Sequence, residues 1–420
     1  MHQRGDIPHV LCECLTHATS YGPRNPCASE PRLVTTLVWR AVAASRGLAP
    51  RRPQTTYCMR RSESAPVAYV TRPSVEIPGY EISTADIVDD ILRTMPEDTR
   101  APSAAVVKRL ASNLQIDTRS FVAPLKALSR PSTITERNNL AQPLMARMGT
   151  DAAQTAIKAA GLTNTDIDVI ITSHSTTPAT PGLDVHIINE LQLRPDIRRM
   201  PATQLGCVGG AHALSWAAEL VDAKPELRIL IVISEALSTV YRSDKNDPAG
   251  IIYRLLFGDG AAACIVSSQP QGACLEITRT WQHVVPGTTD SYTLHTEPTG
   301  LHFTSEKWAP DGITHLMPPL WTWLRQDDKN WTPEVVIAHP GGPRILEDTL
   351  KGLNCTPQLL AHSWESLRTR GNLGGVAILD ILARTADATP RHHSPTLLLG
   401  IGPGLAGAAT QGQWHNPTNH

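Results

Sequence analysis

Phenylalanine is scarce in this 420-residue sequence: it occurs three times, and aromatic residues together make up 5% of the chain. An excess of one charge is also lacking, since 38 Lys and Arg stand against 39 Asp and Glu. This balance excludes the strongly basic surface that binds nucleic acid non-specifically. A hydrophobic fraction of 41% with only 18% charged residues excludes an intrinsically disordered chain and predicts a sizeable core.

Long apolar runs and paired cysteines are missing as well. The longest apolar run, around residues 230–233, has the length of a strand and falls far short of the roughly 18 residues that a transmembrane helix needs. The eight cysteines form no CxxC pair and no zinc-type spacing with histidine. No secretory signal precedes them, so we expect free thiols, a cytoplasmic location and neither metal nor cofactor.

Residues 1–65 differ in composition from the rest of the chain. They hold nine Arg, no Lys and four acidic residues, a net charge of +5, together with four of the eight Cys. Three interpretations are open: a poorly ordered tail, an Arg-rich organelle transit peptide, or sequence upstream of a natural start at Met59. We expect a poorly ordered N-terminal extension without a catalytic role.

From about residue 66 the sequence alternates between strand and helix patterns. Ser83-Thr84, followed by residues 85–92, predicts an N-capped amphipathic helix. Further helices are predicted at 152–160, 184–191, 210–221, 316–324, 344–350 and 376–384, and strands at 166–171, 228–233, 261–266, 335–337 and 396–399. Strands that are apolar throughout indicate buried parallel or mixed sheets of an α/β architecture. The alternation repeats after residues 268–278, which fits an internal duplication.

Cys207 stands between a short extended segment and an Ala-rich helix, with glycine on both sides. The positive end of a helix dipole favours a thiolate, so we expect a lowered thiol pKa. Such a cysteine could be a nucleophile, and a small buried core cysteine is the alternative.

His339 follows a predicted strand and Asn372 stands at the opening of a predicted helix. Each lies in a Gly-rich segment. His339 comes directly after a buried strand, where the sites of α/β proteins cluster, and it could pair with a thiolate or donate to an oxyanion. Asn372 could donate to an oxyanion as well. A structural histidine and a helix N-cap are the alternatives. The Gly-rich segments 256–262 and 400–405 match neither a phosphate-binding loop nor a dinucleotide fingerprint.

Five segments carry a family resemblance: those around Cys207, His339 and Asn372, and residues 256–262 and 400–405. In order and spacing they resemble those of the type III polyketide synthases of the chalcone-synthase superfamily. They read Gly-Cys-x-Gly-Gly, Leu-Phe-Gly-Asp-Gly-Ala-Ala, His-Pro-Gly-Gly-Pro, Gly-Asn-Leu-Gly-Gly and Gly-x-Gly-Pro-Gly. The resemblance spans roughly residues 68–410 and implies a thiolase-like α/β fold, with duplicated halves in a layered αβαβα arrangement. It implies an N-terminal half over 66–270 that carries the nucleophile, a C-terminal half over 271–412 that carries His and Asn, and a tail over 413–420.

The resemblance also implies a reaction. Cys207 would take an acyl starter from its CoA thioester, and His339 would keep the sulfur as a thiolate. His339 and Asn372 would bind the thioester carbonyl of malonyl-CoA, and the enolate left by loss of CO₂ would attack the Cys207 thioester in a decarboxylative Claisen condensation. Repeated extension and cyclisation would give a small aromatic or pyrone product. The enzyme would be a homodimer, with no nucleic acid or membrane partner.

Further site residues are carried over from the same resemblance. Phe257 and Phe303 fall at the two gatekeeper positions between the CoA tunnel and the reaction cavity, with core packing as the alternative. The residues expected to shape the cavity are Ser175, Thr176, Val240 and Gly300. Lys108 and Arg109 are expected to bind CoA phosphates, with a solvated helix face as the alternative. Thr180-Pro181 falls where the family has a cis-proline turn.

Within the superfamily, residues 295–301, 344–348 and 362–364 look most like the bacterial tetrahydroxynaphthalene synthases. Those enzymes carry a second cysteine in the cavity loop, where this chain has Ser175, so a malonyl starter and a naphthalene product do not follow. Two other functions stay open. One is a priming enzyme similar to ketoacyl-carrier-protein synthase III, and the other is a non-catalytic acyl-CoA-binding protein of the same fold.

Overall fold

The computed structural model describes residues 67–416, which form fourteen strands and eleven α-helices. The predictions for residues 1–65 and for Met59 lie outside the described residues. The strands are β1 (Ala68–Val70), β2 (Ser74–Glu76), β3 (Tyr80–Ser83), β4 (Thr118–Phe121), β5 (Val169–His174), β6 (Arg198–Thr203), β7 (Ile229–Glu235), β8 (Gly260–Ser267), β9 (Cys274–Val284), β10 (Tyr292–Glu297), β11 (Gly300–Ser305), β12 (Val335–Ala338), β13 (Pro395–Gly402) and β14 (Ala406–His415). The helices are α1 (Thr84–Thr94), α2 (Glu97–Leu114), α3 (Leu125–Leu128), α4 (Ile134–Ala159), α5 (Leu183–Glu190), α6 (Gly209–Ala223), α7 (Pro248–Leu256), α8 (Ile313–Leu324), α9 (Pro343–Leu353), α10 (Ala361–Arg370) and α11 (Ala377–Asp387).

Ten of the strands form one mixed sheet in the order β12-β13-β14-β9-β1-β8-β7-β5-β6, with β2 also paired to β8. The series β5-β7-β8-β1 repeats as β12-β13-β14-β9: in both series the first two strands are parallel and the next two pairings are antiparallel. The two series meet where β1 pairs with β9. This repeat is the internal duplication that the sequence predicted.

Helices α6 and α11 lie at the centre of the molecule, where they share one apolar core with the strands of both series. Helix α4 covers the opposite face of β7 and β8, and α8 packs on β9 in the second series. The two strand series form the two sheet layers. The layers therefore run α4, first strand series, central helices α6 and α11, second strand series, and α8. All residues of β5, β7 and β8 are buried, which explains why Glu235 is the single Asp, Glu, Lys or Arg among them.

The helices begin largely where their capping residues predict. Ser83 caps α1 through a reciprocal pair of hydrogen bonds with Asp86, and Thr133 and Glu136 do the same for α4. Helix α4 is much longer than the predicted 152–160. The sequence did not predict β9, the β10–β11 hairpin or β14, and β14 runs to His415, inside the segment expected to be a tail.

Candidate active site

Cys207 lies in a single turn of 3₁₀ helix, Gly206–Val208, that joins the end of β6 to α6. The first turn of α6 packs tightly against the segment that precedes α11. A Cβ atom on Gly210 would stand 2.4 Å from the carbonyl oxygen of Gly375, so only glycine allows this approach. The contact brings the residues just before the two central helices together. The thiol of Cys207 is consequently hydrogen-bonded to the side chain of Asn372.

Asn372 is held by the backbone of the segment that ends α7. Its N–H donates to the Leu256 carbonyl at 2.8 Å, and its own carbonyl accepts from the Gly258 N–H at 3.1 Å. The Asn372 side-chain oxygen accepts from the Gly374 N–H at 2.8 Å, although the N-cap of the turn that follows is Leu373 and not Asn372. Because only the oxygen can accept, this bond orients the amide and turns its nitrogen towards the carbonyl of Gly341 and the cavity.

His339 follows β12 and is buried, with its N–H bonded to the Leu399 carbonyl at 2.9 Å. Neither ring nitrogen has a hydrogen-bond partner among residues 67–416. Burial lowers the pKa of His339 to about 3, so the imidazole is neutral near pH 7. Cys207, His339 and Asn372 line one mostly apolar cavity of about 280 Å³, which we call the first cavity.

The expected low thiol pKa is wrong. Burial and, second to it, the neighbouring carboxylate of Glu235 raise the pKa of Cys207 to about 12, and the hydrogen bond with Asn372 offsets only part of this effect. Desolvation of the charged sulfur thus outweighs the dipole of the short turn and α6. The resting pair is a neutral thiol and a neutral imidazole.

Glu235 is a buried carboxylate at the end of β7 that sequence reasoning missed. It accepts hydrogen bonds from the Ser175 N–H, from the Ser175 hydroxyl at 2.8 Å and from the Thr176 hydroxyl at 3.1 Å. Burial raises the pKa of Glu235 to about 7 against the effect of these bonds. An acidic residue at the carboxyl end of a predicted parallel strand was the available signal.

A second cavity, of about 550 Å³, lies on the other side of Cys207. Its wall includes three of the residues predicted to shape it, Ser175, Thr176 and Val240. The hydroxyl-bearing or apolar residues that sequence reasoning did not assign to it include Thr180, Thr203, Leu237, Leu294, Thr296 and Leu301. The two cavities share four lining residues: Cys207, Phe257, Phe303 and Pro403. The two phenylalanines therefore stand at the junction between the cavities.

Three predicted residues lie outside the walls of both cavities. Gly300 stands at the start of β11 with a φ of +136°, packed against Arg137, and lines a small separate pocket. Lys108 and Arg109 are exposed on α2, whose last residue, Leu114, lines the first cavity. Arg344, which was not predicted, is the only Arg or Lys that lines either cavity in the described part of the chain.

Comparison with known proteins identifies the family. Residues 74–270 match the model of the chalcone and stilbene synthases, N-terminal domain, and residues 276–409 match the C-terminal domain model. The chain belongs to the chalcone and stilbene synthase family. Germicidin synthase from Streptomyces coelicolor, a type III polyketide synthase, is similar in structure, with a TM-score of 0.78 and 36% identity over 83% of this chain and 100% of that one.

Two bacterial enzymes are similar in sequence. The 1,3,6,8-tetrahydroxynaphthalene synthase of Streptomyces griseus is 30% identical over 83% of this chain and 93% of its own length. The phloroglucinol synthase of Pseudomonas fluorescens is 29% identical over 81% of this chain and 98% of its own. The predicted type III polyketide synthase family, its thiolase-like fold and its acyl-transferring chemistry are thereby confirmed.

Other features of this chalcone and stilbene synthase family member bear on earlier expectations. The Thr180–Pro181 peptide bond is cis, as the resemblance implied. Within residues 67–416, no helix combines the length and apolarity needed to cross a membrane. The same stretch contains no cluster of three or more His, Cys, Asp or Glu side chains suited to a metal ion.

Proposed function

We propose that this protein loads an acyl-CoA starter onto Cys207, extends it with malonyl-CoA and cyclises the chain to a small aromatic or pyrone polyketide. The observation that carries this proposal is the meeting of a thiol, an unpartnered buried imidazole and an oriented amide in one apolar cavity. The second cavity offers about 550 Å³ beside the same sulfur, which is room for a growing chain.

Loading begins from the neutral pair. As the Cys207 sulfur attacks the thioester carbonyl, its proton moves to His339, and the leaving CoA sulfur is protonated in turn. Burial disfavours either charge alone, but a thiolate and an imidazolium formed together attract each other strongly in this dry cavity. The acyl group then occupies the sulfur, so no charge is left at Cys207 between loading and extension.

Extension uses the same donors. The thioester carbonyl of malonyl-CoA accepts from the Asn372 amide nitrogen and from His339. Loss of CO₂ leaves an enolate on that carbonyl, whose carbon attacks the Cys207 thioester, and the Cys207 sulfur departs as the carbon–carbon bond forms. Both donors are fixed before reaction, Asn372 by the Gly374 N–H and His339 by its place after β12.

Finer assignments belong to the same proposal. Two halves, 66–270 and 271–412, would carry the nucleophile and the His–Asn pair respectively. Lys108 and Arg109 would bind CoA phosphates from α2, because Leu114 of the same helix reaches the first cavity. The enzyme would work in the cytoplasm as a homodimer, as is typical of the family.

The proposal is tested by incubating the purified protein with a panel of acyl-CoA starters and malonyl-CoA and identifying products by mass. Cys207→Ala should give no product, whereas Cys264→Ala, which alters a buried cysteine of β8, should retain the products of the wild type. Asn372→Ala should slow malonyl-CoA decarboxylation by about 10²–10³ while Cys207 still accepts a starter. Condensation by Cys207→Ala would overturn the proposal, and a requirement for carrier-bound malonate would favour the priming-enzyme alternative.

A further inference from the structure

A third aromatic ring joins the two phenylalanines at the junction of the cavities. The ring of Tyr253 stacks on Phe257, with centroids 5.6 Å apart and planes 13° apart, and meets Phe303 edge-on at 4.6 Å. Phe257 and Phe303 are themselves 5.4 Å apart at 79°. The three rings form a closed triangle in which each ring contacts both others.

Tyr253 lies between α7 and β11, two elements that pack against each other. It lies in the last turn of α7, four residues before Phe257, so both rings project from one face of that segment. Its phenol is hydrogen-bonded to the side chain of Ser305. Ser305 lies two residues after Phe303 on β11 and therefore on the same face of the strand. Tyr253 thus holds Phe303 through its ring and β11 through its hydroxyl.

Tyr253 narrows only one of the two cavities. It lines the first cavity, together with Ser305, and is absent from the wall of the second. With 8% of its surface exposed, the ring has little freedom to turn aside. On the side of the first cavity the ring of Tyr253 packs directly against both phenylalanines.

We propose that Tyr253 is the third ring of the gate beside Cys207, and that it limits the bulk of the acyl group that this sulfur accepts. The ring sets the width of the opening, and the bond to Ser305 keeps the ring in place. Tyr253 thus determines specificity in two ways, since it borders the opening itself and also positions Phe257 and Phe303. This inference rests on the proposed function for its biological meaning, because only an acyl-accepting Cys207 gives the gate a substrate.

The test compares a small and a bulky thiol reagent on the full-length protein. Cys207 is labelled with methyl and with benzyl methanethiosulfonate, and the two rates are read by mass spectrometry. Their ratio cancels the intrinsic reactivity of the thiol. Tyr253→Leu should raise the benzyl-to-methyl ratio by roughly tenfold, which is the usual effect of space in an apolar pocket. Tyr253→Phe and Ser305→Ala should each raise it by a smaller and similar factor, because both remove the same hydrogen bond.

The matched control is Tyr241→Phe. Tyr241 is a buried tyrosine of a separate core, and its hydroxyl donates to Asp90 at 2.8 Å. The loss of that bond should leave the labelling ratio unchanged. A ratio in Tyr253→Leu equal to that of the wild type would overturn the proposal. So would a Ser305→Ala variant that differs from Tyr253→Phe.

A second readout separates this inference from the proposed function. The ratio of kcat/KM for benzoyl-CoA to that for acetyl-CoA should rise in Tyr253→Leu in parallel with the labelling ratio. A wild-type protein that condenses no starter of the panel would refute the proposed function, yet the labelling ratio would still decide whether Tyr253 limits access to Cys207.

Discussion

The carboxylate of Glu235 changes the pKa of Cys207 although it is not one of the groups that we propose react. It is buried at the end of β7, where Ser175 and Thr176 donate to it, and its negative charge raises the pKa of the nearby thiol. The pKa of Glu235 itself is raised to about 7, so the carboxylate is charged above that pH and uncharged well below it. Glu235 therefore raises the pKa of the Cys207 thiol only at neutral and alkaline pH.

Replacement of Glu235 by Gln should make Cys207 more reactive above pH 7. Without the carboxylate the thiol pKa should fall by roughly one pH unit, and the rate of alkylation by iodoacetamide at pH 9 should rise by roughly tenfold. Mass spectrometry of the Cys207 peptide gives this rate. Glu347→Gln, which alters an exposed carboxylate on α9, should leave it unchanged. An unchanged or slower reaction in Glu235→Gln would refute the electrostatic role.

At the scale of the element, the β10–β11 hairpin forms part of the wall of the second cavity and carries Phe303, which borders both cavities. Its position depends on Glu297, the last residue of β10. That carboxylate pairs with Arg242 at 2.6 Å, with Lys245 at 3.2 Å and with His302 at 3.0 Å. Arg242 is only 3% exposed, so its charge needs this partner and Asp244.

Glu297→Gln should destabilise the hairpin by about 1 kcal/mol, because the partly exposed ion pairs are lost. Hydrogen exchange of residues 292–305 measures this locally, and the urea midpoint measures it globally. The control is Glu306→Gln, which alters an exposed carboxylate just after β11 and should leave both measurements unchanged.

The stability that the Glu297 ion pairs contribute should depend on pH. Arg242, His302 and Lys245 hold the pKa of Glu297 at about 2, below the roughly 4.3 of an unfolded glutamate. Its ion pairs therefore stabilise the fold above pH 4.3, and this contribution is lost as the pH falls towards 2. The difference between wild type and Glu297→Gln should be full at pH 7 and should shrink below pH 4. A difference that grows on acidification would contradict this account.

At the scale of the whole molecule, the two strand series are joined by the contact between α6 and the segment before α11. A Cβ on Gly210 would meet the Gly375 carbonyl oxygen at 2.4 Å and the Ile378 side chain at 2.6 Å. A backbone carbonyl cannot yield as a flexible side chain does, so the two helices would have to separate. Since the contact holds Cys207 beside Asn372, stability and chemistry depend on the same few atoms.

Gly210→Ala should lower the free energy of unfolding by about 1–3 kcal/mol, as overpacked cores do, and should also slow malonyl-CoA decarboxylation. Urea denaturation followed by tryptophan fluorescence gives the first quantity and CO₂ release the second. Gly79→Ala, at an exposed glycine with no atom within 4 Å of the added carbon, should change neither. Wild-type stability in Gly210→Ala would contradict the proposed role of the contact.

Local patterns predicted the parts of this molecule that local chemistry determines. Capping residues predicted the start of α1, apolar runs predicted β5, β7 and β8, and ordered motifs located Cys207, His339 and Asn372. Contacts between distant segments were beyond the reach of these patterns. The tie between Tyr253 and Ser305 has no local signature.

Two sequence predictions failed for a physical reason. The thiol pKa was predicted from the helix dipole alone, whereas burial and Glu235 dominate it. Gly300 was expected in the cavity wall from the family resemblance, but the hairpin turn faces it towards Arg137. Both errors come from neighbours that only the tertiary fold supplies.

The backbone bridge between Phe257 and Asn372 has a consequence for how this enzyme can evolve. Asn372 is bonded through its main chain to the residues on either side of Phe257, the Leu256 carbonyl and the Gly258 N–H. One backbone contact therefore holds both the ring of Phe257 and the amide that we propose stabilises the enolate. If Asn372 is that donor, a substitution that moves the main chain at Phe257 to admit a new starter would also displace it and slow decarboxylation. Epistasis between starter choice and turnover is thus built into the scaffold, and changes at Tyr253, which makes no such bridge, offer a route to new starters with less loss of rate.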